Sequence, residues 1–441
     1  MTDLLATYCL LPSTSMTILL IGTLDTKGRE IAYCRDKIRE LGADALVLDS
    51  GILGEPLGIV PDITRAECAI AAGTTLDALR NAGTRGAAVE RMREGVRNIA
   101  VKLFEEGKIH GVLCLGGAEG AVLGSYAMRA LPIGVPKVIV TPIASGQRHY
   151  GQLMGTRDIF VVHSVIDILG INPISRAVFD NACGAVVGMV NARAPIADSK
   201  WLLERQELSA IGYPPSAKYV AITMLGNTTK AVMHLKDILA QHGYEAIIFH
   251  SNGVGGPAME ELAEQGMFVG VIDYTTDELS DQLIGGFHAG GDARLERVGA
   301  LGIPQVVVPG CVDFTVHGRR EQVPEKFKDR PAYYHNPEFT LIRLTRDEEA
   351  QIGRIMAGKL NGAQGPVIVI VPTQGLSIPN VPGGVFWDRA ADAAFLDELR
   401  NNLREEIPLI TVDAHINDPA FSQLVAEEFL KLMGEENING K

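Results

Sequence analysis

Short apolar runs ending in glycine recur along this chain, and stretches of helical periodicity separate them. The first run, MTILLIG at 16–22, has the pattern of a strand buried on both faces of a parallel sheet. GREIAYCRDKIREL follows at 28–41; it sets Ile31, Ile38 and Leu41 on one helical stripe, and Gly42 stops it. ADALVLDSG (43–51), IHGVLCLGG (109–117), PKVIVTP (136–142) and DIFVVHSV (158–165) read as further strands, with helices over 87–106 and from about residue 121. This alternation predicts an α/β fold with a doubly wound parallel sheet and helices on both faces.

The pattern breaks at 204–217, ERQELSAIGYPPSA, and the Pro214–Pro215 pair places a domain boundary there. It then restarts. KYVAITMLG (218–226), EAIIFHSNG (245–253), MFVGVID (267–273), PQVVVPG (304–310), GPVIVIVPTQG (365–375) and IPLITVDAH (407–415) read as strands, and about 418–433 as a final helix. Residues 314–345 look irregular and are rich in Arg, Lys and aromatics. Residues 1–15 read as a loose extension or an upstream start. Three blocks match between the halves in the same order. ILLIGTLDTK (18–27) pairs with VAITMLGNTTK (220–230), LGADALVLDSGILGEP (41–56) with HGYEAIIFHSNGVGGP (242–257), and GVPKVIVTP (134–142) with GIPQVVVPG (302–310). The expectation is two tandem Rossmann-like doubly wound parallel-sheet domains related by duplication. Residues 1–205 form the N-terminal, nucleotide-binding one, and 206–441 the C-terminal one.

Charge and cysteines narrow the setting. The chain has 441 residues and a net charge of −13, which argues against a nucleic-acid partner but leaves room for a locally positive nucleotide pocket. Six cysteines are scattered without a C-x-x-C pair, which suits a reducing, cytoplasmic setting. No apolar run reaches ~18 residues, so no membrane partner is expected.

The candidate chemistry lies at strand ends, where open α/β sheets bind ligands. Gly22-Thr23-Leu24-Asp25-Thr26-Lys27 joins the first strand to its helix; Thr23 and Thr26 offer hydroxyls, Lys27 a positive charge, and Asp25 a helix cap or a Mg²⁺ contact. Gly116-Gly117-Ala118-Glu119-Gly120 reads as a backbone nest for phosphate oxygens. Gly51 ends the second strand, and Arg85, in a glycine turn with no strong carboxylate adjacent, is either a bidentate phosphate contact or an exposed side chain. In the second half, Asn227, Thr228 and Lys230 repeat the first loop. His250, Asn252, Gly253, Gly255, Gly256, Asp273, Gly310 and Asp313 line a second crevice suited to a substrate. Asp49, Thr141, Ser145, Thr275, Thr373 and Gln374 are further polar strand-end positions, and His317 and His335 further acid/base candidates. There is no Walker A motif, G-x-S-x-G elbow or H-E-x-x-H pair, so no nucleophile or reaction is read from the chain.

Taken together, GTLDTKG, LCLGGAEGA, HSNGVGGPAMEE, GGDARLERVGALGIPQVVVPGCVDF and VPTQGLSIPNVPGG resemble an uncharacterised bacterial and plant family. That family includes the inhibitory N-terminal region of the tomato mosaic virus resistance protein. The resemblance implies ATP binding and self-association as a homodimer or higher homo-oligomer. The expected function is an ATP-binding protein with its phosphate site on the first half's strand ends. The alternatives are a small-molecule metabolic enzyme using the cleft between the halves, and an ATP-responsive interaction module.

Overall fold

A computed structural model describes residues 16–144, 151–197 and 218–434. The boundary at 204–217, the first 15 residues and Ser145 lie outside these described residues. The chain divides into two compact units, Met1–Gln206 and Glu207–Lys441.

In the N-terminal unit, β1 (Thr17–Gly22), β2 (Asp44–Asp49), β3 (Gly111–Leu115), β4 (Lys137–Thr141) and β5 (Phe160–His163) form one parallel sheet. Its order is β2-β1-β3-β4-β5. Alternate residues of β1 feed opposite cores. Ile18 and Leu20 pack with Ile31, Cys34, Ile38, Phe179 and Val186 of the helices Leu24–Glu40 and Pro173–Ala197. Leu19 and Ile21 pack with Met92, Val96 and Leu123 of the helices Arg85–Glu105 and Ala118–Arg129. A strand apolar at every position is therefore what a sheet covered on both faces requires.

In the C-terminal unit, β6 (Lys218–Met224), β7 (Tyr244–His250), β8 (Gly270–Thr275) and β9 (Gln305–Gly310) repeat the arrangement. Next come β10 (Phe314–His317), β11 (Ala332–Asn336) and β12 (Phe339–Arg343), then β13 (Val367–Pro372) and β14 (Leu409–Val412). The parallel sheet reads β14-β13-β9-β8-β6-β7. Counted within each unit, both sheets contain the order 2-1-3-4-5, the flavodoxin-like variety of the Rossmann-like doubly wound fold. The first strand lies between the second and third, so the winding reverses beside it in both units.

One sequence expectation fails here. Residues 314–345 are ordered: β10, β12 and β11 make a three-stranded antiparallel sheet with an irregularity between Tyr334 and Asn336. Phe314, Val316 and Leu341 face a small core shared with Leu225, Cys311 and Phe386. Strands of four or five residues that mix buried polar side chains (Thr315, His317, Thr340, Arg343) with exposed ones (Tyr334, His335) do not show as apolar runs, which is why the pattern looked irregular.

Candidate functional site

The strand ends around the winding reversal of the N-terminal unit frame a cavity of about 850 Å³. It takes Thr23, Asp25, Thr26 and Lys27 from the loop after β1, Ser50 and Gly51 from β2, and Gly117–Gly120 from β3. Arg80 and Arg85 join from the helical segment before β3. Ile52, Leu53, Leu79, Ala88, Val89 and Leu123 supply an apolar wall. Of the eleven first-half site residues expected from sequence, nine line this one space; Gly22 and Gly116 do not.

Two helices begin at the cavity, and their ends differ. The start of Leu24–Glu40 is largely satisfied by the protein. Leu24 N–H donates to the buried Asp49 carboxylate (3.1 Å), and the N–H groups of Thr26 and Lys27 both donate to Thr23 O. The Thr23 and Thr26 hydroxyls bond each other at 2.9 Å. Asp25 Oδ2 accepts the Gly54 N–H (3.0 Å). Lys27 Nζ donates to Ile168 O and lies 4.0 Å from Asp167, so its charge is already anchored. Burial pushes the Asp49 pKa up, against the N–H groups of Gly51 and Leu24 and the nearby Arg65.

The start of Ala118–Arg129 is open. Ala121 N–H is the first to bond along the helix, to Gly117 O at 2.9 Å. The N–H groups of Gly117, Ala118, Glu119 and Gly120 donate to no acceptor among the described residues. Such an end is a ready anion site. It is not the expected nest, since none of these glycines adopts a positive φ. Gly116 is also misassigned as a ligand donor. Its N–H serves Val140 O, and a Cβ there would sit 2.5 Å from the Gly120 carbonyl carbon. It lets the helix close onto β3. A Cβ on Gly117 would meet nothing within 4 Å. Gly22 likewise is a packing glycine, its Cβ position 2.8 Å from the Ile31 side chain.

Ser50, in the loop after β2 that matches residues 252–257, is fully buried, lines the cavity, and its hydroxyl has no hydrogen-bond partner among the described residues. Arg85, without a carboxylate neighbour in sequence, finds one in the fold. It is the first residue of its helix and forms a two-nitrogen ion pair with Glu119, one N···O distance being 2.6 Å. The pair joins residues 34 apart, which local sequence cannot show. Among the described residues no group of three or more His, Cys, Asp or Glu is placed to hold a metal ion. Asp25 keeps one carboxylate oxygen outside any hydrogen bond among the described residues, so the donor set fits an ion carried in by phosphate oxygens, not a resident one.

The second crevice corrects more expectations. Arg294 is buried completely and bonds Asp273 (2.5 Å), Glu278 (2.6 Å) and Glu260 (3.0 Å). Asp273 is thus an interior ion-pair partner, also held by Gln305 (2.8 Å), and not a substrate contact. Gly256 exists to admit that cluster: a Cβ would lie 2.0 Å from Glu278 Oε2 and 2.1 Å from Arg294 Nε. The N–H groups of Gly253 and Gly256 serve Glu278, and a Cβ on Gly255 would strike His250 O at 1.9 Å. Asn252 accepts from Val254 and Gly255 N–H, closing its own turn. Thr228 is buried against Thr275 (2.7 Å), and Asn227 bonds Ile378 N–H and Asn417. Asp313 is buried against Ser377 (2.7 Å), and Gly310 lets its strand approach Tyr274 O. Lys230 and His250 remain exposed.

The antiparallel sheet and residues 373–386 lie over these strand ends. Val316 N–H reaches Asp281, Leu344 N–H reaches Asp313 O, and Cys311 N–H reaches Leu376 O. His335 of β11 stands over Gly226, whose Cβ position lies 3.5 Å from the imidazole. One histidine escaped the sequence reading. His288 Nδ1 lies 2.8 Å from the buried Asp277, and this pairing outweighs desolvation and raises its pKa. His317 goes the other way; burial pushes it down to about 4, with Lys326 and Arg330 adding.

The fold and cavity therefore define a two-unit α/β protein of the doubly wound, Rossmann-like class, with an open helix end at the cavity of the first unit. The chain belongs to the uncharacterised protein family UPF0261. That family's N-terminal domain matches residues 16–195 and its C-terminal domain residues 217–433. It is 38% identical over 418 residues to a UPF0261 protein of Clostridium tetani, covering 94% of this chain and 98% of that one. It is 34% identical to a UPF0261 protein of Brucella suis, covering 96% of each. Similarity extends to the ToMV resistance protein Tm-1(GCR237) of Solanum lycopersicum, 32% identical across 95% of this chain but only 56% of that protein.

Proposed function

We propose that the N-terminal unit binds ATP, with the phosphates at the start of the helix Ala118–Arg129. The observation that carries this reading is the set of four N–H groups, Gly117 to Gly120, without acceptors, facing a cavity that Ser50 also lines with an unpartnered hydroxyl. A phosphate satisfies both. The apolar wall of Ile52, Leu53, Leu79 and Val89 suits a nucleobase. The choice of ATP among phosphorylated ligands rests on the family resemblance. Mg²⁺ would arrive with the nucleotide, and Asp25 is the carboxylate available to it. The same resemblance supports a homodimer, and the buried free thiols of Cys34, Cys68, Cys114, Cys183 and Cys311 support a cytoplasmic location.

Calorimetric titration with Mg·ATP tests the site. Gly117→Val fills the open space before the helix and is expected to weaken binding at least ~10-fold, a loss of about 1.4 kcal/mol. Lys27→Ala is expected to matter less, since Ile168 O already holds that ammonium. Binding unaltered by Gly117→Val removes the proposed phosphate position.

A second reading, an enzyme with acid–base chemistry in the C-terminal unit, is favoured by the Asp277–His288 pair. A buried carboxylate that fixes one imidazole nitrogen leaves the other to move a proton. Metabolite-dependent ATP turnover that survives His288→Gln would dismiss it.

A further inference from the structure

The three cations of the cavity are held differently. Lys27 is bonded to a backbone carbonyl, Ile168 O, with Asp167 4.0 Å away, and Arg80 to two, Ile52 O and Leu53 O, with Asp77 and Glu55 3.8 and 3.9 Å away. Arg85 bonds no carbonyl and is held by a carboxylate alone, Glu119, and among the described residues nothing else bonds either side chain. Glu119 stands in the first turn of Ala118–Arg129, beside the free N–H groups. Its carboxylate puts a negative charge at the positive end of that helix dipole, where a phosphate would place its own. Arg85 is 74% exposed and Glu119 41%, so the pair is solvated and weakly held. A dianionic phosphate offers Arg85 the same two-pronged geometry with more charge.

Resting on the nucleotide reading above, we propose that Glu119 is a built-in competitor for the phosphate site. In the ligand-free protein it engages Arg85 and shields the helix end. A ligand with a terminal phosphate takes Arg85 from it, and Glu119 is left facing a like charge. Glu119 is then a specificity-determining residue. A neutral nucleoside gains nothing from Arg85 and meets no repulsion from Glu119. A multiply charged ligand must outbid the carboxylate, and does so only with enough phosphate charge to hold both Arg85 and the helix N–H groups. The set point of affinity for phosphorylated ligands is fixed by this exchange.

The test is titration of the full chain with pyrophosphate, ATP and adenosine, in EDTA and at low salt, for the wild type, Glu119→Gln and Arg85→Gln. Glu119→Gln keeps shape and removes charge, and thermal unfolding checks that it folds. It is expected to tighten pyrophosphate and ATP by about tenfold, with adenosine unchanged, and Arg85→Gln to weaken both phosphates by a similar factor. Raised salt shrinks the gain, because the opposing term is electrostatic. If the wild type binds ATP but Glu119→Gln binds it equally or more weakly, Glu119 positions Arg85 or meets an ion, and this inference alone falls. If neither protein binds ATP or pyrophosphate, in EDTA or with Mg²⁺ restored, the nucleotide reading falls and takes this one with it.

Discussion

The two units share a strand order and differ in what fills their strand ends. In the first, the loops after β1, β2 and β3 leave a cavity with unpaired N–H groups. In the second, the same places are packed with the protein's own polar side chains. Asp273, Glu278 and Glu260 surround Arg294, and β10 to β12 close over them. Two copies of one architecture can thus diverge without altering the sheet. One leaves its helix end without internal acceptors, while the other has internalised both charge partners.

The comparison breaks most visibly if Arg294 is removed. Arg294→Met leaves three buried carboxylates without a cation. The C-terminal unit is expected to lose about 3–5 kcal/mol in denaturant unfolding. A loss under about 1 kcal/mol would mean that the cluster is not the unit's internal substitute for a ligand.

Next is the pair of adjacent glycines in the first unit. Gly116→Ala forces a Cβ against the helix backbone and is expected to cost about 1–3 kcal/mol. Gly117→Ala, in extended backbone with open space, is expected to stay within about 1 kcal/mol. Equal losses would erase the distinction between a packing glycine and a ligand-facing one.

The pH response separates the units more gently. Burial raises Glu260 from 4.5 to about 7 and Asp281 from 3.8 to about 7, against the opposing pull of Arg294 on the first and of His288 on the second. The folded C-terminal unit therefore holds protons that the unfolded chain has released. Stability from these groups is full below about pH 4 and is lost as pH rises through about 7. Melting midpoints of that unit between pH 5 and 8 are expected to fall, by on the order of 1–3 kcal/mol in stability. Glu260→Gln should flatten part of the slope; an unchanged slope would exclude Glu260 as its source. The smallest expected effect on folding is Ser50→Ala, within about 0.5 kcal/mol because no hydrogen bond is lost, yet with several-fold weaker phosphate binding. A Ser50→Ala protein that binds as well as the wild type takes Ser50 out of the site.

Sequence alone carried the sheet well and the side-chain partners poorly. All eleven parallel strands show as apolar runs, because both faces of each sheet are covered and glycine marks the turn to the next helix. The gathering of Thr23, Lys27, Gly117 and Glu119 follows from strand order, since the first and third strands are neighbours. What stayed hidden is non-local. Arg294 sits in GGDAR, which looks like a helix start, and only the fold brings Glu260, Asp273 and Glu278 around it. Arg85 and Glu119 meet across two helices. Ser50 lies in a loop matched between the halves, but its unpaired hydroxyl exists only once its surroundings are built.

The open space at Gly117 has a practical use. The five cysteines among the described residues are all buried, so native thiols there are shielded from reagents. A Gly117→Cys thiol would stand at a helix start whose unpaired N–H groups favour the thiolate, making it the reactive position. A small environment-sensitive dye attached there would report occupancy of the cavity directly, and would serve to screen candidate ligands before any reaction is known.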